Sequence, residues 1–150
     1  METRYLDDLT VGDRFGSGSA VLSEADILDF ARAYDPQPFH LDAAAAARSP
    51  YGGIIASGFQ TIALGFRVFI EQGLLRDSSM GSPGLDELRW KAPVRPGDTL
   101  RTEVEVLEVR PSASRPDRGL ARMRYGILNQ RGEEVASFVA LHLLRRRPSA

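Results

Sequence analysis

Between Ser57 and Gln72 the chain carries apolar residues on almost every side of a helix, and this segment dictates what the rest must do. Phe59, Ile62, Phe66, Phe69 and Ile70 recur at helical spacing, and Ala63, Leu64 and Val68 widen the apolar surface around most of the circumference. A helix of that kind belongs inside a protein, so the remaining residues have to supply its cover. Gly73 is a suitable stop. Four strand-like segments follow: Leu85 to Val94, Thr99 to Val109, Leu120 to Leu128 and Glu134 to Leu144. Leu100, Val104 and Val106 share a face of the second, Ala121, Met123, Tyr125 and Ile127 a face of the third, and Val135, Val139, Leu141 and Leu143 a face of the fourth. Such alternation suits antiparallel strands with one buried face. Asn129 to Gly132 reads as a hairpin turn, Arg110 to Gly119 as a surface loop, and Val11 to Leu22 as a further strand. The pattern is α+β: one buried helix wrapped by an antiparallel sheet. Open sheet edges invite pairing, so a homodimer with a continuous sheet is expected.

The 150 residues fit one domain. A net charge of −1 offers no attraction to nucleic acid or to an anionic membrane surface. The absence of cysteine excludes disulfides, cysteine nucleophiles and cysteine metal sites. No apolar run approaches the ~20 residues needed to span a bilayer. The first ten residues have no apolar signal core, and a cytoplasmic location is the expectation.

Upstream of the apolar helix lies the segment most suited to chemistry. Ser23 caps a helix with Ile27, Phe30, Ala31 and Tyr34 on one face, and Pro36 ends it at Asp35. A second, alanine-rich helix is expected over Leu41 to Arg48. Between them runs Tyr34-Asp35-Pro36-Gln37-Pro38-Phe39-His40. On a continuous helix Asp35 and His40 would sit about 140° apart, and in an extended link ~17 Å apart. They meet only if the segment curls. A carboxylate and an imidazole held together form a proton-transfer pair; otherwise the two are a turn aspartate and a capping imidazole. The sequence has one other histidine, His142, which reads as a structural strand residue. Gly52-Gly53-Ile54-Ile55-Ala56-Ser57-Gly58 leads into the apolar helix, whose first N–H groups could bind an anionic oxygen, with Gly58 allowing close approach. Pro93-Val94-Arg95-Pro96-Gly97-Asp98 is a turn between strands.

Taken together, these blocks resemble the MaoC-type dehydratases, relatives of the (R)-specific enoyl-CoA hydratases in the hot-dog superfamily. The aspartate-x4-histidine signature falls on Asp35 and His40, a glycine eighteen residues later on Gly58, and the proline-glycine-aspartate turn of the wider superfamily on Pro93 to Asp98. The likeness runs from Tyr5 to Leu144. It implies a single hot-dog domain over residues 1–150 that hydrates a trans-2-enoyl thioester to the (R)-3-hydroxyacyl thioester, or runs the reverse. Asp35 and His40 would hold the water and move protons, in roles the sequence does not divide between them. The Gly58 N–H would receive the enolate oxygen, with Ser57 and Gln37 beside it as oxyanion or substrate-binding positions. Gln37 stands where the motif usually has asparagine, and Ser57 where a histidine commonly precedes the glycine; both bear on substrate preference. No metal or redox cofactor is implied, and CoA or a carrier protein would deliver the acyl group. Phe59, Ile62, Phe66 and Trp90 are candidates for an apolar acyl slot, or simply core. Arg115, Arg118 and Arg145 to Arg147 could meet CoA phosphates, or simply be solvated surface charge. The alternatives are a hot-dog acyl-CoA thioesterase and a non-catalytic acyl-CoA or acyl-carrier binding module.

Overall fold

A computed structural model describes residues 2–149. Alternation in the second half becomes four strands, β2 (Gly84–Trp90), β3 (Thr99–Pro111), β4 (Arg118–Leu128) and β5 (Glu134–Arg145), joined by an N-terminal β1 (Arg14–Val21). They form one sheet in the order β1-β3-β4-β5-β2, with every pair antiparallel. β2 therefore lies at one edge and β3 next to the other, so the link from Lys91 to Asp98 crosses under the sheet's end.

Four helices accompany the sheet: α1 (Glu24–Tyr34), α2 (Pro38–Leu41), α3 (Ala43–Arg48) and α4 (Gly58–Ile70). α4 packs on the core face formed by Leu100, Val104, Met123, Tyr125, Ile127 and Phe138, all of them 0–2% exposed. Its backbone comes very close at Gly65: a Cβ there would sit 2.3 Å from Ile127 Cδ1, and the Gly65 carbonyl accepts from Thr102 Oγ1 at 2.8 Å. One turn on, Phe69 meets the Tyr125 ring edge-on, centroids 5.3 Å apart.

Four expectations are corrected. α4 is buried by the sheet on only one side, through Gln60, Thr61, Gly65, Val68 and Phe69. Phe59 and Phe66 remain 58% and 37% exposed, because a single five-stranded sheet wraps only part of the circumference. The helix expected over 41–48 is two helices, since Asp42 breaks the first and caps the second by accepting from Ala44 and Ala45 N–H. In β5 the side turned to the core is Ala136, Phe138, Ala140, His142 and Leu144; of the expected set only Val135, beside the register shift against β4, joins the core, and Val139, Leu141 and Leu143 do not. β2 also stops at Trp90, short of Val94, as the chain leaves the sheet for its crossover.

The basic tail is tied down within the chain. Arg146 and Arg147 pair with Asp7 and Asp8 of a short 3₁₀ turn, and Arg118 pairs with Asp117. Met1 and Ala150 lie outside the described residues. Among the described residues, no helix is long and apolar enough to cross a membrane.

Candidate active site

The curl that Asp35 and His40 require is built by the two prolines. α1 closes at Asp35, whose N–H donates to Ala31 O at 2.9 Å. Pro36 prevents a further turn. Pro38 then opens α2 at its first position, where its missing N–H is no loss and its fixed φ suits a helix. Pro36 thus ends one helix and Pro38 starts the next, and α2 is short enough to swing His40 back over the end of α1. His40 Nε2 lies 3.2 Å from Asp35 Oδ2, with the imidazole buried.

The other ring nitrogen is fixed from below. Nδ1 sits 2.7 Å from the Ile55 carbonyl oxygen. A carbonyl only accepts, so Nδ1 carries a hydrogen and Nε2 is left to face Asp35 and the pocket. The loop at Ile55 is itself held by Ile55 N–H to Phe39 O and Ala56 N–H to Val94 O. The turn from Pro93 to Asp98, which the sequence left without a role, therefore braces the loop under His40. Its own shape is held by Asp98, which accepts from Arg95 N–H and from Gln130 Nε2, both at 2.9 Å.

Gln37 and Ser57 turn their polar atoms on Asp35. Gln37 Nε2 donates to Oδ1 and Ser57 Oγ donates to Oδ2, each at 2.7 Å. Burial works to raise the carboxyl's pKa, but these two donors and the His40 imidazole outweigh it and hold Asp35 below the usual carboxylate range. Ser57 is also the N-cap of α4, yet its hydroxyl is spent on Asp35 rather than on capping. The first N–H groups of α4 consequently have no side-chain cap, and the Gly58 N–H donates to no group among the described residues.

Asp35, Gln37, His40, Gly58 and Thr61 line one cavity of about 400 Å³ with Phe39, Tyr51, Phe59 and Trp90. The Gly58 requirement is steric: a Cβ there would lie 2.4 Å from the Trp90 indole. Asp35, Gln37, His40 and Gly58 are thus in one place with Phe59 and Trp90, and Ser57 reaches Asp35 from just behind the wall, whereas Ile62 and Phe66 line a different cavity. The Ile55 carbonyl escaped notice because a backbone oxygen has no signature in the sequence, and the contact of Trp90 with Gly58 because it spans two distant segments. The arginines considered for CoA phosphates do not line this cavity.

A half-buried carboxylate paired with a buried imidazole beside an uncapped helix N-terminus, on an antiparallel sheet packed against one side of a central helix, defines the hot-dog hydratase-type scaffold. The chain belongs to the MaoC like domain family, whose model matches residues 9–121. Among curated proteins it is 36% identical to the uncharacterized Bacillus subtilis protein YdeM, over 87% of this chain and 91% of that one. It is 30% identical to the MaoC protein of Klebsiella aerogenes over 67% of this chain, but spans only 30% of that longer protein. Among solved structures, the MaoC-like dehydratase from Rhodospirillum rubrum superposes with a TM-score of 0.90 at 43% identity, covering 97% of this chain and 99% of that one. The R-hydratase PhaJ1 from Pseudomonas aeruginosa gives 0.76 at 31%, covering 95% and 86%.

Proposed function

We propose that this protein adds water across the C2–C3 double bond of a trans-2-enoyl thioester, or removes it from the (R)-3-hydroxyacyl thioester. The observation that carries the reading is the His40 ring. Its Nδ1 hydrogen is committed to Ile55 O, and its Nε2 lies against Asp35 in a cavity that Gly58 also lines. The names of the structurally similar dehydratase and R-hydratase agree with this chemistry.

The two polar groups divide the work by their surroundings. Asp35 already accepts from Ser57 and Gln37, which lowers its basicity and leaves it as a fixed charge that orients a water molecule. With the ring hydrogen on Nδ1, Nε2 of the neutral His40 presents its lone pair beside Asp35 Oδ2, and the water donates one hydrogen to each. As the water oxygen bonds to C3, His40 takes its proton, and the electron pair of the double bond moves onto the thioester oxygen. The Gly58 N–H, at the positive end of α4, receives that charge. The imidazolium then returns the proton to C2, which restores the carbonyl and leaves His40 neutral. Hydrogen and hydroxyl arrive from one side of the substrate. CoA or a carrier protein would bring the acyl group, and the working unit is a homodimer joined through the free edge of β2. The test is a series of trans-2-enoyl-CoAs followed by loss of the conjugated thioester absorbance, with chiral analysis of the product. An (R) product is expected. A predominantly (S) product, or release of free thiol without hydration, would overturn the assignment.

A further inference from the structure

Beside the catalytic cavity lies a second one of about 530 Å³, walled by α4, β5, β2 and the segment from Leu75 to Ser82. Its lining is mostly apolar, with Phe66, Leu75, Leu85, Phe138 and Ala140 among it. His142 also lines it but is held neutral, with its pKa lowered by burial to about 4. Phe59 is the residue that belongs to both cavities. Its ring meets Trp90 edge-on, centroids 5.6 Å apart at 74°, and the Trp90 indole in turn lies against Gly58. The boundary between the two cavities is therefore a pair of aromatic rings standing beside the proposed oxyanion site. Both rings are about half exposed in the single chain, at 58% and 48%.

A thioester whose carbonyl oxygen sits at Gly58 N–H starts its acyl chain at this boundary. We infer that the Phe59–Trp90 pair is the determinant of acyl length: the catalytic cavity alone accepts a short acyl group, and a longer chain enters the apolar cavity only when the rings part. This rests on the hydratase reading above and adds the substrate class, short-chain enoyl thioesters, together with the residues that enforce it. An apolar tail suits the second cavity because nothing charged would be stranded on entry except near the Arg76 rim.

The experiment compares kcat/KM for crotonyl-, octenoyl- and dodecenoyl-CoA in the wild type and in Trp90→Ala and Phe59→Ala, which attack the boundary from opposite sides. The wild type should favour crotonyl-CoA. Each variant should raise the octenoyl-to-crotonyl ratio by roughly tenfold or more, since even single methylenes in an apolar slot discriminate on that scale. Trp90→Phe, which keeps an apolar but smaller ring, should fall between. A wild type that already favours the long chains overturns the inference. So does a ratio that stays within about twofold in both Ala variants. A wild type silent on all three substrates sinks the hydratase reading itself, whereas turnover with an unmoved ratio sinks only the role of the rings.

Discussion

Replacing Asp35 by asparagine preserves the shape of the side chain but removes the charge on which Ser57, Gln37 and His40 converge. His40→Gln removes the imidazole nitrogen that lies against Asp35. Each should lower turnover by roughly 10²–10⁴-fold, the usual worth of a positioned proton-transfer group, while circular dichroism shows the fold intact. Losses below about tenfold would move the chemistry elsewhere. Gly58 allows a sharper comparison. Gly58→Ala keeps the N–H but drives a methyl into Trp90, and Gly58→Pro does the same while deleting the donor. Ser57 has φ −57° and ψ 136°, a conformation that a following proline accepts. The proline variant should therefore be slower than the alanine variant by ~10²–10³, the cost of one oxyanion donor. Equal rates, with equal binding of a substrate analogue, would remove the Gly58 N–H from the mechanism. The Asp35–His40 pair was legible because two prolines between them allow few shapes. What the sequence hid was the means of holding it: Gln37 and Ser57 read as substrate contacts, yet both donate to Asp35.

Among the elements, β5 shows where pattern reading fails for a physical reason. Residues from Val135 to Ala140 are buried without interruption, so both faces of the strand are apolar and alternation cannot say which meets the helix. The answer lay with His142, whose Nε2 is 2.8 Å from Tyr125 Oη inside the core. Burial lowers the His142 pKa from 6.5 to about 4 and raises that of Tyr125 above its ordinary value, so both are neutral partners at neutral pH. The linkage follows from the lowered value. Below pH 6.5 the unfolded chain binds a proton at His142 that the folded chain refuses until about pH 4. Stability tied to this group is complete above that window and lost as pH falls through it, by about 3 kcal/mol in all. Urea unfolding from pH 7 downward should show the loss in the wild type. It should be absent from Tyr125→Phe/His142→Phe, where both polar groups go together and no partner is stranded. Asp35 and Glu134, whose pKa values are lowered in the fold, add acid sensitivity at lower pH in both proteins and cancel in the difference. Identical pH slopes would mean that His142 is reached by water. α4 itself was legible from its periodicity, but its surplus of apolar positions exceeds what one sheet can cover.

That surplus has a consequence for the assembled molecule. Phe59, Phe66, Leu85 and Trp90 are exposed on the side of α4 and β2 that the sheet leaves open, and β2 is the last strand in the sheet order. At the opposite edge β1 carries Gly16 and Gly18 and is clasped by Gln72, which donates to Gly16 O. Val11 and Val21 are also exposed near β1, but Phe59, Phe66, Leu85 and Trp90 form a group at the β2 edge, where a second copy can extend the sheet and cover it. Strand pairing about a two-fold axis between Glu87 and Leu88 would set Asp86 opposite Arg89 of the second copy, and Arg89 opposite its Asp86. The bulge at Glu87, with φ 54° and a register shift against β5, limits how far such pairing runs. The register is nevertheless testable by charge. Opposed pairs across strands contribute roughly 0.2–1 kcal/mol each and like charges cost as much, and symmetry doubles every change. Arg89→Glu should weaken the dimer several-fold in sedimentation at low ionic strength, Asp86→Arg should do the same, and the two substitutions together should restore association. Failure of the double variant to recover would place the axis elsewhere along β2. A wild type that remains monomeric at micromolar concentration would leave the apolar face of α4 without its cover, and the homodimer would have to be given up.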